Sequence, residues 1–184
     1  LEGVPNTAFT EGFAFVFQDR DMEVLGRGKP GKDSESLKAL DSFWSTREIA
    51  GVALVDMNVW RWLYQNRDAT PEDLRQAVDV IARGVWDKHF APVFGKSSPL
   101  LAVYSHMING GMYLPDYPLG HIIAFQVEEY FKTHALGTEM ERMCRLGSIT
   151  PRDWMRQAVG EEISPKPLIA AAAEALKTLS AEVA

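Results

Sequence analysis

The sequence predicts an all-α fold built as a multi-helix array, and three observations support this. First, a threonine or serine stands directly before a proline at Thr70-Pro71, Ser98-Pro99, Thr150-Pro151 and Ser164-Pro165. Such a hydroxyl caps the first amides of a helix, and proline at the next position lacks an amide that would otherwise stay unbonded. Second, apolar residues recur every three or four positions. Third, no stretch reads with confidence as a strand.

The first predicted helix runs from Ala8 to Leu25. Phe13, Phe15 and Phe17 alternate as they would in a strand, but the stretch is long, lacks turn signals and is followed by Gly26, which favours a helix. Because apolar residues fall on all its sides, we expect this helix to be buried. Further helices are predicted at about 33–66, 71–90, 100–109, 115–132 and 138–145, and from Pro151 and Pro165 onward.

Length and composition predict one helical domain, or a large piece of one, over residues 1–184. Apolar residues make up 46% of the chain and charged residues 24%, which excludes an intrinsically disordered protein. The chain begins at Leu1 without an initiator methionine, and we interpret this as a start inside a longer protein. Cys144 is the only cysteine, so neither an internal disulfide nor a cysteine-based zinc site is expected.

Charge and hydropathy disfavour two classes of partner. The net charge is −6, and basic and acidic residues are interspersed, without the concentrated Lys/Arg stripe that nucleic-acid binding requires. The apolar runs are far shorter than the roughly 20 residues that span a bilayer. We therefore expect neither a nucleic acid nor a membrane as a partner. The single cysteine weakly favours a reducing, cytoplasmic compartment.

Glu11 is the first candidate for chemistry, because it is one carboxylate within the aromatic stretch 9–15. Burying a carboxylate is costly unless it is paired, hydrogen-bonded or bound to a metal. On a helix its face also carries Ala8, Ala14, Phe15 and Gln18, which include no cation. A glutamate at a helix edge, or one that pairs with a distant arginine, would explain the same pattern.

The second candidate is the segment from Tyr104 to His121, which concentrates histidines and tyrosines around Gly110-Gly111. Phenol and imidazole groups near a loop can donate hydrogen bonds to a developing oxyanion. Glycines there allow the backbone to approach a ligand closely. An amphipathic connection, with tyrosine rings packed inward and hydroxyls in water, is an equally good interpretation of these residues.

Taken together, these two stretches resemble the gluzincin zinc peptidases, which include oligoendopeptidases, thimet-type oligopeptidases and angiotensin-converting enzyme. Residues 4–14, VPNTAFTEGFA, are similar to the helix that supplies the family's glutamate ligand, and residues 117–128 are similar to a downstream helix that begins with substrate-binding tyrosines. The resemblance implies that Glu11 is the third protein ligand of a zinc ion. It also implies that His106 and Tyr117, eleven residues apart, contact the substrate and the oxyanion. Tyr113 is a companion whose spacing to Tyr117 differs by one residue from the family's tyrosine pair.

The chain departs from the family because it contains no HExxH motif. In gluzincins that motif supplies two zinc-binding histidines and the glutamate that acts as general base. The resemblance therefore implies a C-terminal part of a peptidase domain that acts on peptides, with the HExxH segment preceding it in a longer protein. By itself the chain is expected to be inactive. The alternative is a non-catalytic helical domain that binds a peptide or another subunit.

Overall fold

A computed structural model describes residues 5–18, 20 and 32–183, and over those residues the protein is all-helical, without a strand. The all-α prediction is thereby confirmed. The helices of the described residues, numbered in chain order, are α1 (Thr7–Gln18), α2 (Lys32–Gln65), α3 (Pro71–His89), α4 (Ala91–Phe94), α5 (His106–Asn109), α6 (Asp116–Phe131), α7 (Leu136–Cys144), α8 (Pro151–Val159) and α9 (Lys166–Val183). A 3₁₀ turn at Leu100–Ala102 precedes α5.

Two of the predicted helix starts are confirmed in atomic detail. At α3 the Thr70 hydroxyl accepts the Asp73 amide at 3.2 Å, and the Asp73 carboxylate accepts the Thr70 amide at 2.9 Å, which completes a capping box. At α8 the Thr150 hydroxyl accepts the Asp153 amide at 3.2 Å. Local sequence therefore determines where these two helices begin.

The prediction of one helix over residues 100–109 is wrong. The chain forms a 3₁₀ turn, leaves helical geometry at Val103 (ψ 73°), and becomes helical again only for His106–Asn109. Leu101 is buried, whereas Tyr104 and Ile108 are exposed, so the apolar residues of this stretch do not form one buried helix face. The short helix α4 was not predicted.

The expectation that α1 is buried on all sides is also wrong. Ala8, Phe9 and Val16 are buried, whereas the Phe17 side chain is 57% exposed. The helix ends at Gln18 in the structure, and Arg20 lies in a turn. The remainder of the predicted stretch to Leu25 lies outside the described residues.

The chain divides into two compact units. The first contains residues 1–46 and 119–184, and the second contains residues 47–118. The prediction of a single domain over residues 1–184 stays a prediction. Among the described residues, no helix combines the length and the apolar character needed to cross a membrane.

The core of the first unit is formed by α1, α6, α7 and α8. Its centre is the fully buried Trp154, whose ring meets Phe9 edge-on at 4.9 Å and Phe13 at 5.6 Å between centroids. Gln126, also buried, donates to the carbonyl of Glu162 at 3.0 Å and accepts the amide of Ser164 at 2.9 Å. This amide thus ties the loop before α9 to α6.

The second unit has a smaller core, formed by α2, α3, the 3₁₀ turn and the residues before α6. Its buried members are Val52, Ala53, Val55, Ala82, Val85, Phe90, Leu101 and Leu114. Gly51 allows α2 to approach the Phe90 ring, since a Cβ atom at Gly51 would lie 2.7 Å from that ring. Leu114, fully buried, anchors the segment that carries the tyrosines to this core.

Candidate functional site

In the second unit, His106, Tyr113 and Tyr117 form a cluster of three rings. The His106 ring centroid lies 6.2 Å from that of Tyr113 and 5.9 Å from that of Tyr117, and the two tyrosine centroids are 5.3 Å apart. Tyr117 meets both other rings edge-on, at 90° and 80°, whereas His106 and Tyr113 are nearly parallel at 19°. All three side chains are half-buried. The structure thus brings together the three residues that the sequence singles out as catalytic candidates.

A fourth ring extends this cluster on its exposed side. The Tyr104 centroid lies 5.4 Å from that of His106, and the Tyr104 side chain is 38% exposed. The Ser105 hydroxyl lies 3.5 Å from Nδ1 of His106. Because each phenol carries an O–H donor and each imidazole an N–H donor, the cluster presents several hydrogen-bond donors in one place.

A tight turn between α5 and α6 brings the rings together. His106 is the first residue of α5, and its carbonyl accepts the Gly110 amide at 2.9 Å. The Gly110 carbonyl in turn accepts the Tyr113 amide at 2.9 Å. Between them, Met112 has a φ of 62°, in the left-handed region that non-glycine residues rarely occupy. The chain therefore reverses within a few residues and places Tyr113 beside His106.

Asp56 lies beneath this turn on α2 and is only 2% exposed. Its Oδ2 accepts the Met112 amide at 3.1 Å, and the Trp60 side chain lies near the carboxylate. Burial raises the pKa of Asp56 above its ordinary value, and the hydrogen bonds from Met112 and Trp60 oppose that shift. Asp56 is thus a buried acid whose partners include the backbone of the turn.

In the first unit, the predicted metal ligand Glu11 is half-buried on α1. Glycines on both helices allow α1 and α6 to approach closely there. A Cβ atom at Gly120 would lie 2.8 Å from Cβ of Glu11 and 3.0 Å from the Gly12 nitrogen, and one at Gly12 would lie 3.1 Å from Cγ2 of Ile123. This close contact fixes the backbone of Glu11 against α6. His121 stacks on Phe15 at 4.0 Å and 10°, which joins the same two helices.

The described residues do not fit a complete zinc site. Among them, no group of three or more His, Cys, Asp or Glu side chains could hold a metal ion. A catalytic zinc needs three protein ligands and one open position. Of those ligands, the resemblance assigns only Glu11 to this chain, and the other two belong to the HExxH motif, which the sequence lacks.

Comparison with known proteins gives no relative: no protein-family model, no curated protein and no solved structure matches this chain. The resemblance to gluzincins therefore depends on the stretches around Glu11 and Tyr117 and on the spacing between His106 and Tyr117.

Sequence reasoning missed one residue that shapes the candidate site, Trp60. No sequence pattern singles out Trp60, although its ring lies against Gly111 and near Asp56. Asp56 did leave a signal, because it interrupts an apolar stretch of α2. Its partner, Met112, lies 56 residues away in sequence, and no local pattern indicates that pairing.

Proposed function

We propose that this chain is the C-terminal part of a zinc-dependent peptidase that hydrolyses peptide bonds in peptides. The observation that carries the proposal is the cluster of His106, Tyr113 and Tyr117, whose centroids lie 5.3–6.2 Å apart. These are the residues that the gluzincin resemblance assigns to substrate and oxyanion contact. That assignment requires the three side chains to lie near one another, because their donors would act on one developing charge.

His106 and Tyr117 act in this proposal as hydrogen-bond donors to the oxyanion or to the peptide backbone. Their half-buried surroundings strengthen such bonds relative to water, because the local dielectric is lower. Donors that are already oriented need no reorganisation when charge develops. Tyr113 packs against both rings and restricts their orientation.

Glu11 would be one of the protein ligands of the zinc ion. The histidine ligands and the general base come from an HExxH segment that precedes this chain in a longer protein. The chain by itself is therefore inactive, and its natural partners are that segment and a peptide substrate. The close contact of Gly12 with α6 supports a fixed ligand position, since a metal ligand must be held within a few tenths of an ångström.

A second candidate function is a non-catalytic domain that binds a peptide or another subunit. The observation that favours it is the exposure of apolar side chains next to the ring cluster. Ile108 is 92% exposed and Val103 is 76% exposed. Contiguous exposed apolar patches are typical of interaction surfaces, and both residues belong to the segment that leads into the ring cluster. In this case Glu11 would be a structural carboxylate and no metal would bind.

The two candidates are separated by the zinc content and peptidase activity of the full-length protein that carries this chain. We expect about one zinc per molecule and cleavage of quenched-fluorescent peptides. Glu11→Gln should lower zinc affinity by more than about tenfold, since even residues that only support metal ligands have effects of that size. Glu35→Gln, an exposed glutamate on α2, is the matched control and should retain both properties. Full-length protein with neither zinc nor peptidase activity would refute the peptidase proposal.

A further inference from the structure

A buried carboxylate in the second unit has no role in the proposed chemistry. Asp56 is 2% exposed and lies among the apolar residues of α2, where Val55 is fully buried. Burying an ionisable group is unfavourable unless it forms hydrogen bonds, and a neutral side chain would be easier to accommodate. Its partners therefore indicate what it does.

Both neighbours of the Asp56 carboxylate are connected with the turn that joins His106 to Tyr113. Met112 belongs to this turn, and Trp60 packs against it. The Met112 amide donates to Oδ2 at 3.1 Å, and Met112 is the residue with a φ of 62°. The Trp60 side chain lies near the same carboxylate, and its ring fills the space beside Gly111. A Cβ atom at Gly111 would lie 2.5 Å from Cζ2 of Trp60. Asp56 thus holds the turn directly through Met112 and indirectly through Trp60.

The left-handed conformation of Met112 needs such support. A non-glycine residue is strained in that region, so it adopts this conformation only where its surroundings impose it. The chain before the turn carries His106, and the residue directly after Met112 is Tyr113. A change in the backbone at Met112 would therefore alter the angle and distance between these two rings.

We propose that Asp56 is a positioning residue that holds the turn of Gly110, Gly111 and Met112 in the conformation that clusters His106, Tyr113 and Tyr117. It acts on the rings through the backbone of the turn. Its importance for catalysis rests on the proposed function, whereas its effect on the rings does not.

The test measures the turn and the rings directly by NMR on the present chain. In Asp56→Ala, the hydrogen-exchange rate of the Met112 amide should increase relative to the wild type. This increase should be at least about ten times larger than the increase at the core amides of Val85 and Trp154. The ring-proton shifts of His106 and Tyr113 should move towards those of unstructured peptides. Asp56→Asn keeps an oxygen acceptor and should preserve most of both properties. Asn58→Ala, which removes only a side-chain bond to the Leu54 carbonyl on the same helix, is the control.

Wild-type ring shifts in Asp56→Ala would overturn the proposal. So would a rise in Met112 exchange that only matches the rise in the core, because Asp56 would then stabilise the unit as a whole. If Asp56→Ala does not fold, Trp60→Phe takes its place: it removes the indole donor, and the same local change is expected and the same outcomes overturn the proposal. In the full-length protein, loss of the ring cluster without loss of peptide cleavage would refute the proposed function and leave the positioning role intact.

Discussion

The two compact units use buried polar side chains in different ways. In the first, Gln126 is a neutral amide that donates a hydrogen bond to the backbone carbonyl of Glu162 and accepts one from the backbone amide of Ser164. In the second, Asp56 is an acid, and the backbone that it holds is a turn with a left-handed methionine. Both side chains fix a loop to a helix. Only the second combines a buried ionisable group with unfavourable backbone geometry.

This difference distinguishes a structural loop from a candidate site. A neutral amide with both its oxygen and its nitrogen bonded costs little to bury, whereas a carboxylate keeps a raised pKa even with two donors. Strained backbone and shifted pKa values concentrate at functional sites, because stability alone would not retain them. In this protein both occur next to the His106, Tyr113 and Tyr117 rings.

The largest expected effect tests whether the first unit is stabilised mainly by its aromatic core. Trp154→Ala removes a fully buried ring that contacts Phe9 and Phe13, and it should lower the free energy of unfolding by about 3–5 kcal/mol. Phe17→Ala removes an exposed ring from the same unit and should change the free energy of unfolding by less than about 0.5 kcal/mol. Urea denaturation measures both. Similar losses in the two variants would contradict this description of the core.

A second prediction compares the same substitution in the two units. Gly120→Ala places a Cβ atom 2.8 Å from Cβ of Glu11 and 3.0 Å from the Gly12 nitrogen, so it should destabilise the protein by about 1–3 kcal/mol. Gly84→Ala, in the interior of α3, meets nothing within 4 Å and should stabilise by about 0.5–1 kcal/mol, because alanine is the better helix former. Thermal denaturation shows whether each variant is destabilised or stabilised. Stabilisation by Gly120→Ala would show that α1 and α6 are not in close contact there.

The two threonine caps provide a comparison in which the units should behave alike. Thr70→Ala in the second unit and Thr150→Ala in the first each remove a hydroxyl that accepts a helix amide at 3.2 Å. Each substitution should lower the free energy of unfolding by about 1 kcal/mol, and serine at either position should retain most of the wild-type stability. Urea denaturation of the four variants tests this. A negligible cost at Thr70 would mean that its capping box does not contribute to stability.

The smallest expected effect is the pH dependence of the free energy of unfolding. Two acids of the second unit should contribute to it with opposite signs. Burial raises the pKa of Asp56, so its stabilising contribution is complete below its ordinary pKa and is lost as pH rises through the raised value. Hydrogen bonds from Arg75 and Gln76 lower the pKa of the exposed Glu72 to about 2, so its contribution is present above its ordinary pKa and is lost as pH falls towards 2.

Asp56→Asn isolates the first of these effects. Between pH 4 and 8, the variant should gain stability relative to the wild type as pH rises, because only the wild type ionises a buried group. Urea denaturation across that range measures the difference, with Asn58→Ala as the control. A difference that stays constant with pH would contradict a raised pKa for Asp56.

The sequence predicts this fold to different extents in different places. The starts of α3 and α8 were predictable because Thr70-Pro71 and Thr150-Pro151 act within one helical turn. Residues 100–109 were not, because Leu101 packs in one core with residues far away in sequence, such as Val55, and local patterns do not show such packing. The residue types around Gly110-Gly111 indicated the ring cluster. The support from Asp56 remained hidden, because the Met112 amide is 56 residues away.

In the proposed function, the ring cluster supplies hydrogen bonds to the transition state of peptide hydrolysis. Steady-state kinetics of Tyr117→Phe in the full-length protein test it most directly, with the exposed Tyr64→Phe as the matched control. The account predicts that Tyr117→Phe lowers kcat by about 10²–10³-fold with little change in KM, as expected for the loss of an oxyanion donor, and that Tyr64→Phe changes neither. Wild-type kcat in Tyr117→Phe would contradict the account.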